Sequence, residues 1–255
     1  GEKPSCNVQF AGAMDEEHTF KGALALARHT KADAVVVSEP TDLAVIRAHN
    51  GLARFRIHVT GVAAHSSKPE LGVNAISKMA RIVAAIEDEI EASYTARSHP
   101  LTGSPRLNIG VIAGGVQINF VPDHCVIEVD RRVIPGEDPL ETVRPFRELL
   151  ARLASADPEL DAQLEDPFLL DTSMETAEDA DIIKVAAAAC ETTIGTSTID
   201  GVPYGTDASK FTAIGIPSIV LGPGSIDQAH AAVEWVDCQQ VLDVTDIYHE
   251  IMRTF

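Results

Sequence analysis

The hydrophobic period changes twice along this chain, and that double change limits the folds open to it. At the start, short apolar runs alternate with an amphipathic stretch, as in an α/β layer: a strand over 8–10, a helix from about 17 to 30 and a buried strand over 34–37. From Leu52 the period drops to two. Phe55, Ile57 and Val59 face one way and Arg54, Arg56 and His58 the other, the signature of a half-buried antiparallel strand. After about Asp166 the mixed pattern returns, with a helix over 177–190, an apolar strand over 216–221 and a last helix over 237–253. The simplest parsing is an α/β domain, residues 1–51 and 164–255, interrupted by an insertion over 52–163.

Within the insertion, Val73, Ile76, Met79, Val83, Ile86 and Ile90 recur at helical steps. Strands over 106–112 and 125–133, a helix over 139–153 and a strand over 160–164 follow. Strand, helix, strand, strand, helix, strand is the split ferredoxin-like α+β arrangement.

A chain of 255 residues can bury about 70% of its unfolded surface, so a sizeable core is available. The 38 acidic residues exceed the 20 basic ones, giving a net charge of −18, which argues against nucleic acid as a partner because phosphate binding needs a positive surface. The longest purely apolar runs, such as 185–190, fall far short of the ~20 residues a bilayer requires, so no membrane role is expected. Cys6, Cys125, Cys190 and Cys238 are scattered without a paired motif, which fits a reducing cytoplasm. Gly1–Pro4 does not read as a natural initiation sequence, and a strand follows almost at once. The expectation is a piece of a longer protein.

Asp15-Glu16-Glu17 places three carboxylates between a strand and a helix, where they repel one another unless a cation or the helix dipole relieves them. Glu39, in Ser38-Glu39-Pro40-Thr41, projects from the carboxyl end of the buried strand, and neighbouring parallel strands put such ends side by side. His230 closes the glycine-rich turn Gly222-Pro223-Gly224-Ser225-Ile226-Asp227-Gln228-Ala229-His230 after another apolar strand. Two carboxylates and an imidazole of this kind suit zinc. Each also has a plainer reading: an acidic first turn, a loop acid before proline, a surface histidine. His65, Asn119, Arg132 and the turn Tyr204-Gly205-Thr206-Asp207 are equally open to capping or strand-edge roles.

Taken together, these segments resemble the dinuclear zinc amidohydrolases that include acetylornithine deacetylase, succinyl-diaminopimelate desuccinylase, aminoacylase and glutamate carboxypeptidase. The resemblance runs through nearly the whole chain. It is carried by Asp15-Glu16-Glu17, Ser38-Glu39-Pro40-Thr41, the stretch 61–76 around His65, Asn119-Phe120-Val121-Pro122, Arg132 ahead of Pro135-Gly136, and 222–230, in the family's order.

The resemblance implies a zinc-exopeptidase-like catalytic α/β domain with an inserted ferredoxin-like lid that joins two subunits in a homodimer. It implies Glu16 as general base, with Glu17 and His230 on one zinc and Glu39 helping to hold the other, cobalt or manganese being alternatives. His65, acting on the partner's site, and Asn119 would polarise the scissile carbonyl, Arg132 would grip a substrate carboxylate, and Thr206 with the backbone of Gly205 would line the pocket. The implied substrate is a small N-acyl amino acid or short peptide. A carboxypeptidase, an aminopeptidase and a non-catalytic dimerisation fragment are the alternatives. The family's upstream His-x-Asp, whose Asp bridges both metals, should precede Asp15 and has no counterpart among the 255 residues.

Overall fold

Strands buried on both faces need an apolar layer above and below. The structure, a computed structural model that describes residues 3–255, supplies both in the first of its two units, which runs up to Asn50 and resumes over Thr172–Phe255. There β1 (Val35–Val37) lies parallel to β12 (Ser218–Val220), which pairs antiparallel with β2 (Val45–His49). Strand β2 also carries β10 (Met174–Glu175) antiparallel and β11 (Ile199–Val202) parallel.

Successive strand residues point to opposite faces. Val45, Ile219 and Leu221 therefore meet Ile182, Ile183 and Ala186 of α4 (Asp181–Ile194) and Val244 and Ile247 of α6 (Cys238–Thr254). Ile46 and Val220 face the other way, onto Met174 and Ala208, the first residue of α5 (Ala208–Thr212). Ala27, at the end of α1 (Lys21–Ala27), packs with Phe211 and Ile216 on that side.

Two expectations near the start change. No strand forms over 8–10, where Val8 and Phe10 are exposed and no ladder partner exists among the described residues. The helix expected over 17–30 shortens to α1, because the chain before it closes a tight turn on the Asp15 carbonyl instead of entering the helix.

The second unit, Gly51–Asp171, contains β3 (Gly51–Thr60), α2 (Ala75–Ala85), β5 (Arg106–Gly114), β7 (His124–Val133), α3 (Arg144–Ala156) and β8 (Asp161–Leu164). Its sheet order is β5-β7-β3-β8, fully antiparallel, the ferredoxin-like order expected. A further strand, β9 (Leu169–Asp171), pairs with β3 through Leu52, Ala53 and Arg54, which carries this unit past residue 163 to Asp171. A small hairpin of β4 (Ala64–His65) and β6 (Phe120–Val121) stands apart from the main sheet.

Phe55, Ile57, Val59, Ile127 and Val129 form the inner face, against Met79 and Ile82 of α2 and Phe146, Leu149 and Leu150 of α3. Phe55 and Phe146 meet edge to face at 4.9 Å. Helix α2 starts where the Asn74 side chain accepts from the Ser77 N–H at 3.0 Å. The outer face is laced with cross-strand ion pairs, Arg54 to Asp130 at 2.9 Å and Arg56 to Glu128 at 2.8 Å. No helix among the described residues is long and apolar enough to cross a membrane, and all four cysteines are unpaired.

At the end of β2 the imidazole of His49 is fully buried, with Nδ1 2.9 Å from the Asn50 carbonyl. Burial holds its pKa down to about 4, against 6.5 ordinarily. Since the folded state resists this proton, the stability it contributes is present above pH 6.5 and lost as pH falls toward 4. The difference is worth about 3 kcal/mol. Urea titrations of the wild type and His49→Gln across that window should show the wild type losing this extra stability; parallel pH profiles would contradict the assignment.

Candidate active site

The turn that carries Glu16 and Glu17 is built on Asp15. With φ at 68° this residue lies in the left-handed region, which Asp tolerates better than most side chains. Its carbonyl accepts from the backbone N–H groups of Thr19 and Phe20 at 3.2 and 2.8 Å, and the Thr19 hydroxyl donates to its carboxylate. Glu16 and Glu17 are thereby lifted ahead of α1.

Glu39 leaves the carboxyl end of β1, while Gly222 begins the loop after β12, β1's parallel neighbour. The two segments are zipped together: Thr41 N donates to Gly222 O at 3.3 Å, Gly222 N donates to Thr41 Oγ1 at 3.1 Å and Asp42 N donates to Gly224 O at 2.8 Å. A Cβ on Gly222 would stand 2.4 Å from the Glu39 carbonyl oxygen, so glycine is what permits this approach. The loop ends on His230, also left-handed at φ 60°, whose N–H donates to Glu234 Oε1 at 2.7 Å. Its Nε2 lies 2.9 Å from Glu17 Oε1.

Glu16, Glu17, Glu39 and His230 thus belong to one neighbourhood, and the electrostatics record it. Burial first, then Glu39, Asp207 and Glu17, push the Glu16 carboxyl up to about 7. Burial, Asp207 and Glu17 raise Glu39 in the same sense. The hydrogen bond to Glu17 raises His230 and favours its charged form. Tyr204 donates its hydroxyl to the Pro40 carbonyl at 3.2 Å, tying the turn that contains Gly205 and Thr206 to the Glu39 segment. Thr206 is buried and its Oγ1 accepts from the N–H of Ala208, the first residue of α5, at 3.1 Å. A hollow of about 320 Å³, bounded by Pro40, Gly224, Gln228, Glu234 and Trp235, opens beside Ala229.

The donor chemistry suits zinc, two carboxylates and an imidazole with a third carboxylate in reserve. Among the described residues, however, no three His, Cys, Asp or Glu side chains converge on a point that could hold an ion. Glu17 and His230 attract and meet; Glu39 acts on Glu17 and Glu16 by repulsion. The fit is therefore one of donor type and neighbourhood, with one pair of candidate ligands, Glu17 and His230, in contact.

The remaining candidates lie in the second unit. His65 pairs with Phe120 in the β4–β6 hairpin, and Ser66 N donates to the Asn119 carbonyl at 3.0 Å, so His65 and Asn119 share one edge. His65 is exposed, its Nδ1 2.8 Å from Ser67 Oγ. Arg132 is on the outer face of β7, where its Nε lies 3.0 Å from Asp130 Oδ1. From the sequence Asp207 reads as a cap and Lys210 gives no signal, since a short turn and helix carry no sign of burial.

These observations converge with three comparisons. Residues 47–158 match the M20 peptidase dimerisation domain. Acetylornithine deacetylases of Vibrio atlanticus and Salmonella typhimurium are 32% and 31% identical over 258 and 255 residues, covering 94% and 97% of this chain but only 63% and 64% of their own length. The chain therefore spans a little over three fifths of these curated relatives. The fold resembles an aminopeptidase PepT from Bacillus cereus, with a TM-score of 0.70 and 22% identity over 91% of this chain and 61% of that one. It also resembles a tripeptidase from Staphylococcus aureus, with a TM-score of 0.72 and 20% identity over 91% of this chain and 60% of that one. Residues 47–158 thus carry the likeness to the M20 peptidase dimerisation domain, and the chain as a whole is similar to acetylornithine deacetylases over most of its length.

Two outcomes follow from the geometry. Gly222→Ala forces apart the Glu39 and Gly222 backbones and should cost about 2–3 kcal/mol in denaturant unfolding; a near-neutral effect would show that the two segments are not held this closely. For Glu16 the folded pKa is raised, so its contribution is present below pH 4.5 and is lost as pH rises through about 7. Without metal, Glu16→Gln should be more stable than wild type above pH 7 by about 1–2 kcal/mol, after allowance for solvent screening, and equal to it near pH 4.

Proposed function

We propose that the whole protein is a metal-dependent hydrolase that cleaves the amide bond of an N-acyl amino acid, as a deacetylase or desuccinylase does. The observation that carries this reading is the desolvated Glu16, tuned to about 7 beside the Glu17–His230 pair. A carboxylate so placed is suited to accept a proton at neutral pH and return it.

Glu17 and His230 would hold one zinc and Glu39 would help hold a second, cobalt or manganese being chemically compatible. When bound, the ions supply Lewis acidity toward water and the scissile carbonyl. Glu16 takes the proton of the attacking water and delivers it to the leaving nitrogen. His65 and Asn119, fixed on one hairpin, donate toward the developing oxyanion, a contribution worth about 3 kcal/mol per donor in other hydrolases. Arg132 offers a planar fork for a substrate carboxylate once it exchanges Asp130 for that group. The hollow beside Ala229 offers room for part of the substrate.

The partner in this reading is a second copy. Strand β5 is at an edge of its sheet, with Val111 and Ile112 exposed, and an unpaired edge is a template for another strand. In such a homodimer His65 serves the neighbouring subunit. The unpaired cysteines support a reducing, cytoplasmic setting.

In the full-length enzyme, Glu16→Ala should lower kcat at least about a thousandfold while metal content by elemental analysis stays near wild type; turnover near wild type would refute the role. A screen of N-acetyl and N-succinyl amino acids against unblocked dipeptides should favour the acylated compounds, and preference for free peptides would replace the deacylase reading with a peptidase one.

A further inference from the structure

Lys210 is on the short helix α5, yet its side chain is buried. A buried ammonium is costly unless a compensating charge or full hydrogen bonding surrounds it. Two of its partners are neutral oxygens, the Thr206 carbonyl at 3.3 Å and Ser209 Oγ at 3.0 Å. Its Nζ also stands 3.3 Å from the centre of the Phe20 ring, a cation–π contact.

Phe20 is the residue whose N–H closes the Asp15 turn, so Lys210 packs beneath the segment that displays Glu16 and Glu17. On its other side it is three residues from Asp207, whose carbonyl accepts the Lys210 N–H at 3.2 Å. Asp207 is one of the carboxylates that press on Glu16 and Glu39, and Lys210 is the cation that opposes them at Glu16.

We propose that Lys210 is a positioning residue, a built-in counter-ion that holds the acidic turn and Asp207 together in the metal-free protein and moderates its affinity for a divalent cation. The second half of this statement rests on the hydrolase reading; the first does not. Charge, rather than packing, is the property that matters, because removing the ammonium leaves the carboxylates without their internal cation, and a bound dication would replace it.

A double-mutant cycle on the full chain, metal-free at about pH 8, separates the two roles. Lys210→Met should lower the thermal midpoint by about 5 °C with Glu16 present and by half that or less in the Glu16→Gln background, while Lys210→Arg stays within about 2 °C of wild type. Equal losses in both backgrounds, or failure of Lys210→Met to fold in either, assign Lys210 a packing role and overturn the proposal. In calorimetric zinc titrations Lys210→Met should bind about tenfold more tightly than wild type. Unchanged or weaker binding overturns the cation half. A wild type that takes up no zinc overturns that half together with the hydrolase reading, and the thermal cycle alone then decides the counter-ion.

Discussion

Glu16, Glu17, Glu39 and Asp207 repel one another, and backbone pairing is what keeps them in one neighbourhood. The parallel ladder of β1 and β12 brings two strand ends side by side, and the loop at Gly222 is then bonded to Thr41 and Asp42 with no room for a side chain on the glycine. Each such bond contributes about 1 kcal/mol net, and several act together. Burial first, and the repulsion after it, appear instead as proton affinity: one unit of pKa corresponds to about 1.4 kcal/mol, and Glu16 and Glu39 are both shifted upward. Main-chain geometry therefore wins, and the side chains absorb the strain as altered acidity. That is how a fold raises the proton affinity of an ordinary glutamate to about 7.

The second unit applies the same economy of position with a two-residue period. Arg131 and Arg132 are adjacent in sequence but on opposite faces of β7. Arg131 is buried beneath Tyr94, with Nη2 2.8 Å from Glu137 Oε1, and serves the core. Arg132 joins the charged outer face with Arg54 and Asp130. A substrate-binding role is physically open only to the second, since the first has its fork occupied and no solvent access. His65 and Asn119 are linked by a hairpin too short to hold a core of its own, so both remain at an exposed edge.

The candidate residues of the two units stand in unlike surroundings. In the acidic neighbourhood Glu16 and Glu39 are partly desolvated, which strengthens their charges, and Lys210 is a buried cation, while Glu17 and His230 stay exposed. The hairpin pair is open to solvent, where charges and donors are screened.

Period and order were legible in the sequence. Alternation in β3 and β7, the three- and four-residue steps of α2, and the strand–helix order of the insertion follow from local patterning, which burial of one face enforces wherever it occurs. Glu39 and His230 were legible as residue types in loops after strands, since sheet topology sends such ends to one edge, and the acidic triplet was legible by its charges alone, because the strand expected before it does not form. Sequence could not determine what depends on partners distant along the chain: that 8–10 finds no strand to pair with, that β9 extends the insertion to Asp171, or that Glu17 meets His230 while Glu39 stands off. Lys210 makes the contrast sharpest. By type it is a surface residue, and only the packing of α5 under the Phe20 turn, a contact across nearly two hundred residues, places its charge inside the protein.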